Sequence, residues 1–162
     1  MIDDAVGDIG AGTADDPRLV VETWMAVATP EGWRVLMLRR APDHGGFWQG
    51  VSGRVEAHDA SLRAAALREI REETGIATGV TVFDLGRWIA FQGLTGTYYK
   101  KRSLGAVVPP ETVAASLPLC EEHDAAAIVT FAEARARVRW PQNVEELTAL
   151  EAAVTASDLL RR

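Results

Sequence analysis

A chain of 162 residues that is 48% hydrophobic and 25% charged has the size and balance of one globular domain with a substantial core. Its net charge of −6 excludes a surface built to neutralise a nucleic-acid duplex, although a bound divalent cation can reverse the local field for a small phosphate ligand. The single cysteine, Cys120, excludes an internal disulfide; with an N-terminus lacking an apolar signal core and no apolar run long enough for a bilayer, the expected compartment is the cytoplasm, with no membrane partner.

Residues 1–17, rich in Gly, Asp and Ala, read as a mobile arm ahead of a single domain over 18–162. LVVETWMAVAT (19–29) and WRVLMLRR (33–40) read as strands, joined into a hairpin by the turn PEG. APDHGG (41–46) is a loop, and FWQGVSGRVE (47–56) is a short strand broken by glycines. SLRAAALREIREET (61–74) is the strongest helix, with Asp59 or Ser61 to cap its start and Gly75 to end it. VTVFDLGRWIAFQ (80–92) and YYKKRSLGAVV (98–108) are strands around a Gly-rich turn at 93–96, and AAAIVTF (125–131) is a last strand. AEARARV (132–138) and VEELTALEAAVTASDLL (144–160) read as helices, the second amphipathic. Strands interrupted by one central helix, with further helices late, predict a mixed α/β (α+β) domain.

On a helical wheel at about 100° per residue, Glu69 and Glu73 fall one turn apart, with Glu72 beside them. They continue the stripe of Leu62, Ala65 and Ala66, which should face protein. Arg68 and Arg71 should point elsewhere, and Leu67, Ile70 and Thr74 form a second apolar side. Carboxylates crowded against a protein wall repel one another and resist desolvation. A hard, oxygen-seeking cation such as Mg²⁺, or Mn²⁺, relieves both and in turn holds a polyphosphate. The alternative is a salt-bridged surface helix, with Arg68 and Glu72 paired at i, i+4.

Gly53, a spacer and Arg68-Glu69-Ile70-Arg71-Glu72-Glu73-Thr74-Gly75-Ile76 resemble the Nudix box, G-x5-E-x7-R-E-U-x-E-E-x-G-U with U aliphatic, over about 53–76. Gly53 precedes Arg68 by fifteen positions where the pattern has fourteen, so the loop carries one extra residue and its acid falls on Ala60 or Asp59. The resemblance implies a Nudix fold, a mixed β-sheet between helices, and hydrolysis of a nucleoside diphosphate linked to another group. It implies metal binding by Glu69, Glu72 and Glu73, with Arg68 and Gly53 as structural support. VLMLRR, FWQGVSGRVE, CEEHD and WPQN also resemble, in order and spacing, the bacterial dihydroneopterin triphosphate diphosphatases of that family. That resemblance adds Glu122 as a metal ligand and Arg40 and Ser52 as substrate contacts. Similar "WQ" segments occur in Nudix enzymes that cleave dinucleoside polyphosphates.

The chemistry expected is in-line attack of water on a phosphorus, with metal ions acidifying the water and a carboxylate (Glu69, Glu72 or Glu122) as base. Arg40 forks onto a phosphate or is a solvated strand end. Trp48 stacks on a planar pterin or purine or packs in the core, and Trp88, Phe91 and Trp140 share that choice. His123 orients Glu122 or lies at the surface, and Lys100, Lys101 and Arg102 meet the triphosphate or line a solvated edge. The expected partner is a small-molecule polyphosphate, with dihydroneopterin triphosphate the substrate that the resemblance implies; the rivals are a broader nucleoside triphosphate (such as dATP) or dinucleoside polyphosphate hydrolase and, from another class, a catalytically idle ligand sensor. The late helix (142–160) offers a face for a homodimer as readily as for internal packing.

Overall fold

The structure, a computed structural model, describes residues 9–113 and 117–160. Its strands are β1 (Arg18–Thr29), β2 (Gly32–Arg40), β3 (Trp48–Gln49), β4 (Val51–Arg54), β5 (Thr81–Gln92), β6 (Tyr98–Val108) and β7 (His123–Val129). Its helices are α1 (Leu62–Thr74), α2 (Phe131–Arg137) and α3 (Pro141–Leu160). The strands form one mixed seven-stranded sheet with β1 at its centre. β1 runs parallel to β6 along its length, while its other edge meets β2 over Met25–Thr29 and β4 over Val20–Thr23.

That shared edge explains why 47–56 is two strand fragments and not one. Leu38 of β2 pairs with Gln49 on one side and Ala126 of β7 on the other, while Leu36 pairs with Met25 of β1 and with Ile128 of β7. β3 therefore occupies the edge of β2 from which β1 has diverged, and β4 does the same for β1. Gly50 joins the two fragments; a Cβ there would stand 2.4 Å from the Thr23 carbonyl oxygen, so no side chain fits at the fork.

Helices cover both sheet faces, which is why β1 is buried from Val20 to Val27 without the alternation of a half-exposed strand. On one face Val21, Met25, Leu36, Leu38 and Leu104 pack against Leu62, Ala65, Ala66 and Ile70 of α1. On the other, Trp24, Val35 and Met37 pack against Phe131 and Ala134 of α2 and Leu147, Leu150 and Val154 of α3. The mixed sheet between helices is the fold class expected. The apolar stripe of α3 is used inside the molecule. Among the described residues no helix is long and apolar enough to cross a membrane.

Several boundaries differ from expectation. β7 begins at His123, and α3 begins at Pro141, whose fixed φ and missing N–H suit a first helical position. Ser61, not Asp59, caps α1: its hydroxyl accepts the Ala64 N–H at 3.0 Å. The described part of the N-terminal arm is folded back and not free. Leu19 N–H donates to Ile9 O and Tyr98 N–H to Gly12 O, and Ile9 packs on the α1-side core.

Candidate metal and phosphate site

The last two turns of α1 place Glu69 and Glu73 beneath the fork in the sheet, both buried, while Glu72 is exposed. Gly53 of β4 lies against Glu69 so closely that a Cβ there would stand 2.1 Å from its carboxyl carbon. The glycine is needed for this contact, not for a turn.

Arg68 does not point away from the acids. It is buried among them, and its Nη1 donates to Glu69 at 2.8 Å and to Glu72 at 3.2 Å. The i, i+4 pair is thus present, as one arm of a larger network. Nε and Nη2 of Arg68 fork onto the Asp59 carboxylate, both at 2.9 Å, and Nη2 reaches the Arg54 carbonyl at 3.0 Å. Burial pushes the Asp59 carboxyl up, but the Arg68 hydrogen bonds and the Glu56 N–H hold it below the ordinary carboxylate range. Asp59, and not Ala60, is therefore the acid of this loop that clasps Arg68. Leu67, expected on an apolar side, is exposed.

Glu73 has a costly environment. Both carboxylate oxygens are buried and neither has a hydrogen-bond partner. Burial first, then the neighbouring Glu69 and Glu122 charges, push its carboxyl up to about 9. Burial also raises Glu69, partly offset by Arg68. His123 of β7, expected to orient Glu122 or lie at the surface, is buried against Glu73: Nε2 lies 3.4 Å from Glu73 Oε1 and 3.2 Å from Gln49 Nε2. Burial, reinforced by Arg40, lowers the His123 pKa, which disfavours a charged ring beside Glu73. Two buried, under-compensated carboxylates are a donor set that fits a hard divalent cation. Among the described residues no three acidic, His or Cys side chains are arranged to hold a metal ion as they stand, so such an ion would draw in the exposed Glu72 or Glu122.

Arg40 and Glu122 border this pair. The Ala41 N–H donates to the Glu122 carbonyl at 2.8 Å, and Arg40 Nη1 stands 3.9 Å from Glu122 Oε2. Arg40 is aimed by the His44 carbonyl, which accepts from its Nε at 3.0 Å. Ser52 and Trp48 are not brought to the carboxylates. Ser52 alternates with Gly53 and so faces away from Glu69. Trp48 packs on the α2–α3 side, between the guanidinium groups of Arg39 and Arg137.

Sequence reasoning missed a second buried polar cluster on the α3 face. Lys101 Nζ donates to Glu22 at 2.7 Å and lies 3.8 Å from Glu146, which also accepts from Ser103, Trp24 and Asn143. Lys101, expected to meet the triphosphate or line a solvated edge, is buried. The alternation of Lys100, Lys101 and Arg102 was the available signal, since a strand buried on one face turns only every second residue inward.

A NUDIX domain family model matches residues 20–150. An Ap4A hydrolase of C. elegans superposes with a TM-score of 0.71 at 16% identity, covering 85% of this chain and 98% of that one. A Nudix hydrolase of M. smegmatis gives 0.67 at 18% identity, covering 93% and 96%. The dihydroneopterin triphosphate pyrophosphohydrolase of E. coli gives 0.64 at 24% identity, covering 80% and 91%. An octanoyltransferase of Myxococcus xanthus is 39% identical over 93 residues, 57% of this chain; the match spans 25% of that relative's length. These likenesses to solved structures carry the fold, and the family model, matched over most of the chain and across the carboxylate helix, carries the membership: the chain belongs to the Nudix family.

Proposed function

We propose that the protein is a Mg²⁺-dependent pyrophosphohydrolase of a nucleoside-triphosphate-like substrate, with dihydroneopterin triphosphate, cleaved to the monophosphate and pyrophosphate, as its first candidate. The observation that carries the metal-dependent reading is Glu73, buried with two unpartnered oxygens beside Glu69. A bound divalent ion would supply charge neutralisation on the phosphates and a more acidic water. Glu69 and Glu73 would hold it, with Glu72 and Glu122 closing from the exposed side. Arg68 orients Glu69 and opposes the upward push of burial on its carboxyl, and Arg40 meets a phosphate oxygen at the rim. Glu69, Glu72 or Glu122 takes the proton from the attacking water. The pterin rests on the motif resemblance and on the likeness to the E. coli enzyme.

A second reading, hydrolysis of a dinucleoside polyphosphate, is favoured by a band of arginines and aromatic rings beside Arg40. The sensor reading is disfavoured by the intact run from Arg68 to Glu73.

The test is release of pyrophosphate and of phosphate with Mg²⁺, wild type against Glu73→Gln, on dihydroneopterin triphosphate, dATP, GTP and diadenosine tetraphosphate. Metal-dependent pyrophosphate release, fastest on the pterin and lost in the variant, is the expected result. Fastest turnover of a nucleotide would discard the pterin and keep the site. No turnover by a folded protein that binds Mg²⁺ would overturn the enzymatic reading of this panel.

A further inference from the structure

β5 ends the sheet: among the described residues its one strand partner is β6, so its other edge is open. The two halves of that edge differ. Around the bulge between Asp84 and Arg87, the Val82 carbonyl accepts from Arg63 Nη1 at 2.6 Å and the Gly86 N–H donates to the Asp84 carboxylate at 2.9 Å. Bulges, charges and prolines are the devices that keep an edge strand from pairing with another chain. From Trp88 to Gln92 all three are missing, and no charged residue or proline stands between Arg87 and Lys100.

The hairpin fixes which backbone groups face outward. The Gly93 N–H donates to the Thr97 carbonyl at 2.8 Å, so these two form a hydrogen-bonded pair at the turn. Antiparallel pairs alternate, so Gln92, Ala90 and Trp88 turn their N–H and C=O groups away from β6 and toward the open edge. Tyr98, opposite Gln92, obeys the same alternation: its N–H leaves the hairpin and donates to the Gly12 carbonyl at 2.9 Å. The side chains of this hairpin are equally uncovered. Six large apolar or aromatic side chains are exposed among the described residues, and four of them, Trp88, Phe91, Leu94 and Tyr98, lie here. The nearby cations are engaged within the chain: Lys100 lies 4.4 Å from the Trp88 ring, and Arg102 is paired with Asp84.

An uncharged open edge fits another such edge, and a strand can meet its own reverse across a twofold axis. We propose that the protein pairs with a second copy of itself through β5, antiparallel, with Ala90 on the axis. In that register Trp88 lies opposite the partner's Gln92, and their outward backbone groups continue the ladder. Ile89 lies opposite the partner's Phe91 on the other face, an aromatic and β-branched pair of the kind that stabilises adjacent strands. The pair recurs on both sides of the axis, which favours a second copy over an unrelated strand. Arg87 falls opposite the partner's Gly93, so no like charges meet, and the small Ala90 side chain leaves the axis uncrowded. The pairing is independent of the reaction that the carboxylates carry out.

Sedimentation velocity of the full chain tests this, with a reversible dimer expected to form over about 1–100 μM for a contact of this size. Ala90→Pro is the diagnostic variant. Proline is tolerated at an edge position whose N–H faces solvent, but in the dimer it removes both donors of the central pair. It should weaken the dimer by about 100-fold and leave the circular dichroism spectrum intact. Phe91→Gln, which keeps the backbone donors, should weaken it by about tenfold. Leu67→Gln, at an exposed leucine of α1, should leave it unchanged. The Trp88, Ala90 and Gln92 amides should exchange with deuterium more slowly as wild-type concentration rises. A wild type that is monomeric throughout the range would overturn the proposal. Unchanged association of a folded Ala90→Pro would place the interface elsewhere and overturn it too; if that variant does not fold, unchanged association of Phe91→Gln has the same force. Slow exchange of the three amides in the monomer would overturn it by assigning the edge to another segment of the same chain.

Discussion

At the scale of single residues, the site depends on two contacts that look unremarkable in the sequence. Gly53 lets the backbone of β4 touch the Glu69 carboxylate. Gly53→Ala would force that carboxylate aside, against the Arg68 hydrogen bond that holds it at 2.8 Å. The substitution should leave the circular dichroism spectrum intact and lower Mg²⁺-dependent turnover by about 10- to 100-fold, the usual range for groups that orient metal ligands. Equal turnover in the two proteins would show that Glu69 relaxes freely. The burial of Glu69 and Glu73 was legible, because the stripe of Leu62, Ala65 and Ala66 fixes which side of a helix faces protein. The position of Arg68 was not. A wheel gives the direction in which a Cα–Cβ bond leaves the helix, whereas an arginine is long enough to turn back along the axis. His123 was missed for a related reason: its partners Glu73 and Gln49 are 50 and 74 positions away, and nothing local marks the ring as buried.

At the scale of elements, the loop between β4 and α1 is held by the Asp59–Arg68 fork. Both side chains are buried, so Asp59→Ala would strand a guanidinium with less than its full set of acceptors. Breaking a buried pair in this way typically costs about 3–5 kcal/mol. Urea denaturation should show a loss of that order, with activity falling further because Glu69 would lose its fixed neighbour. A change of less than about 1 kcal/mol, the value of an exposed pair, would mean that Glu56, 3.7 Å from Arg68, takes over the role. Periodicity and turn residues marked most element bounds, whereas the fork between β1 and β2 was illegible. It depends on pairings between segments far apart in sequence, and FWQGVSGRVE alternates well enough to pass for one strand.

At the scale of the whole molecule, two groups of buried acids sit on opposite faces of one sheet, and they differ in how they are neutralised. On the α3 face Lys101 compensates Glu22 and Glu146 from within the chain. Burial lowers the Lys101 pKa, but the two carboxylates more than reverse this, so it stays charged. Lys101→Met should cost about 3–5 kcal/mol in thermal or urea unfolding, with or without Mg²⁺, by leaving two carboxylates without a cation. On the α1 face the chain gives Glu73 no such partner, so stability there should depend on pH and on metal. The Glu73 carboxyl titrates near 9 in the folded protein and in the ordinary carboxylate range once unfolded. Between those values the folded state holds a proton that the unfolded state has released, so stability falls as pH rises through the window. Without metal, the unfolding free energy should decline from about pH 5 to pH 9. Saturating Mg²⁺ should flatten the decline and raise stability most at the alkaline end, where the ion competes with fewer protons for the carboxylates. Glu73→Gln removes both the charge and the proton, so it should reduce the decline without metal and most of the Mg²⁺ effect. Thermal midpoints of both proteins, measured with EDTA and with Mg²⁺ at each pH, distinguish the cases. A wild-type decline that persists unchanged in Glu73→Gln would place the responsible carboxylate elsewhere, with Glu22 the next to test because burial also raises it.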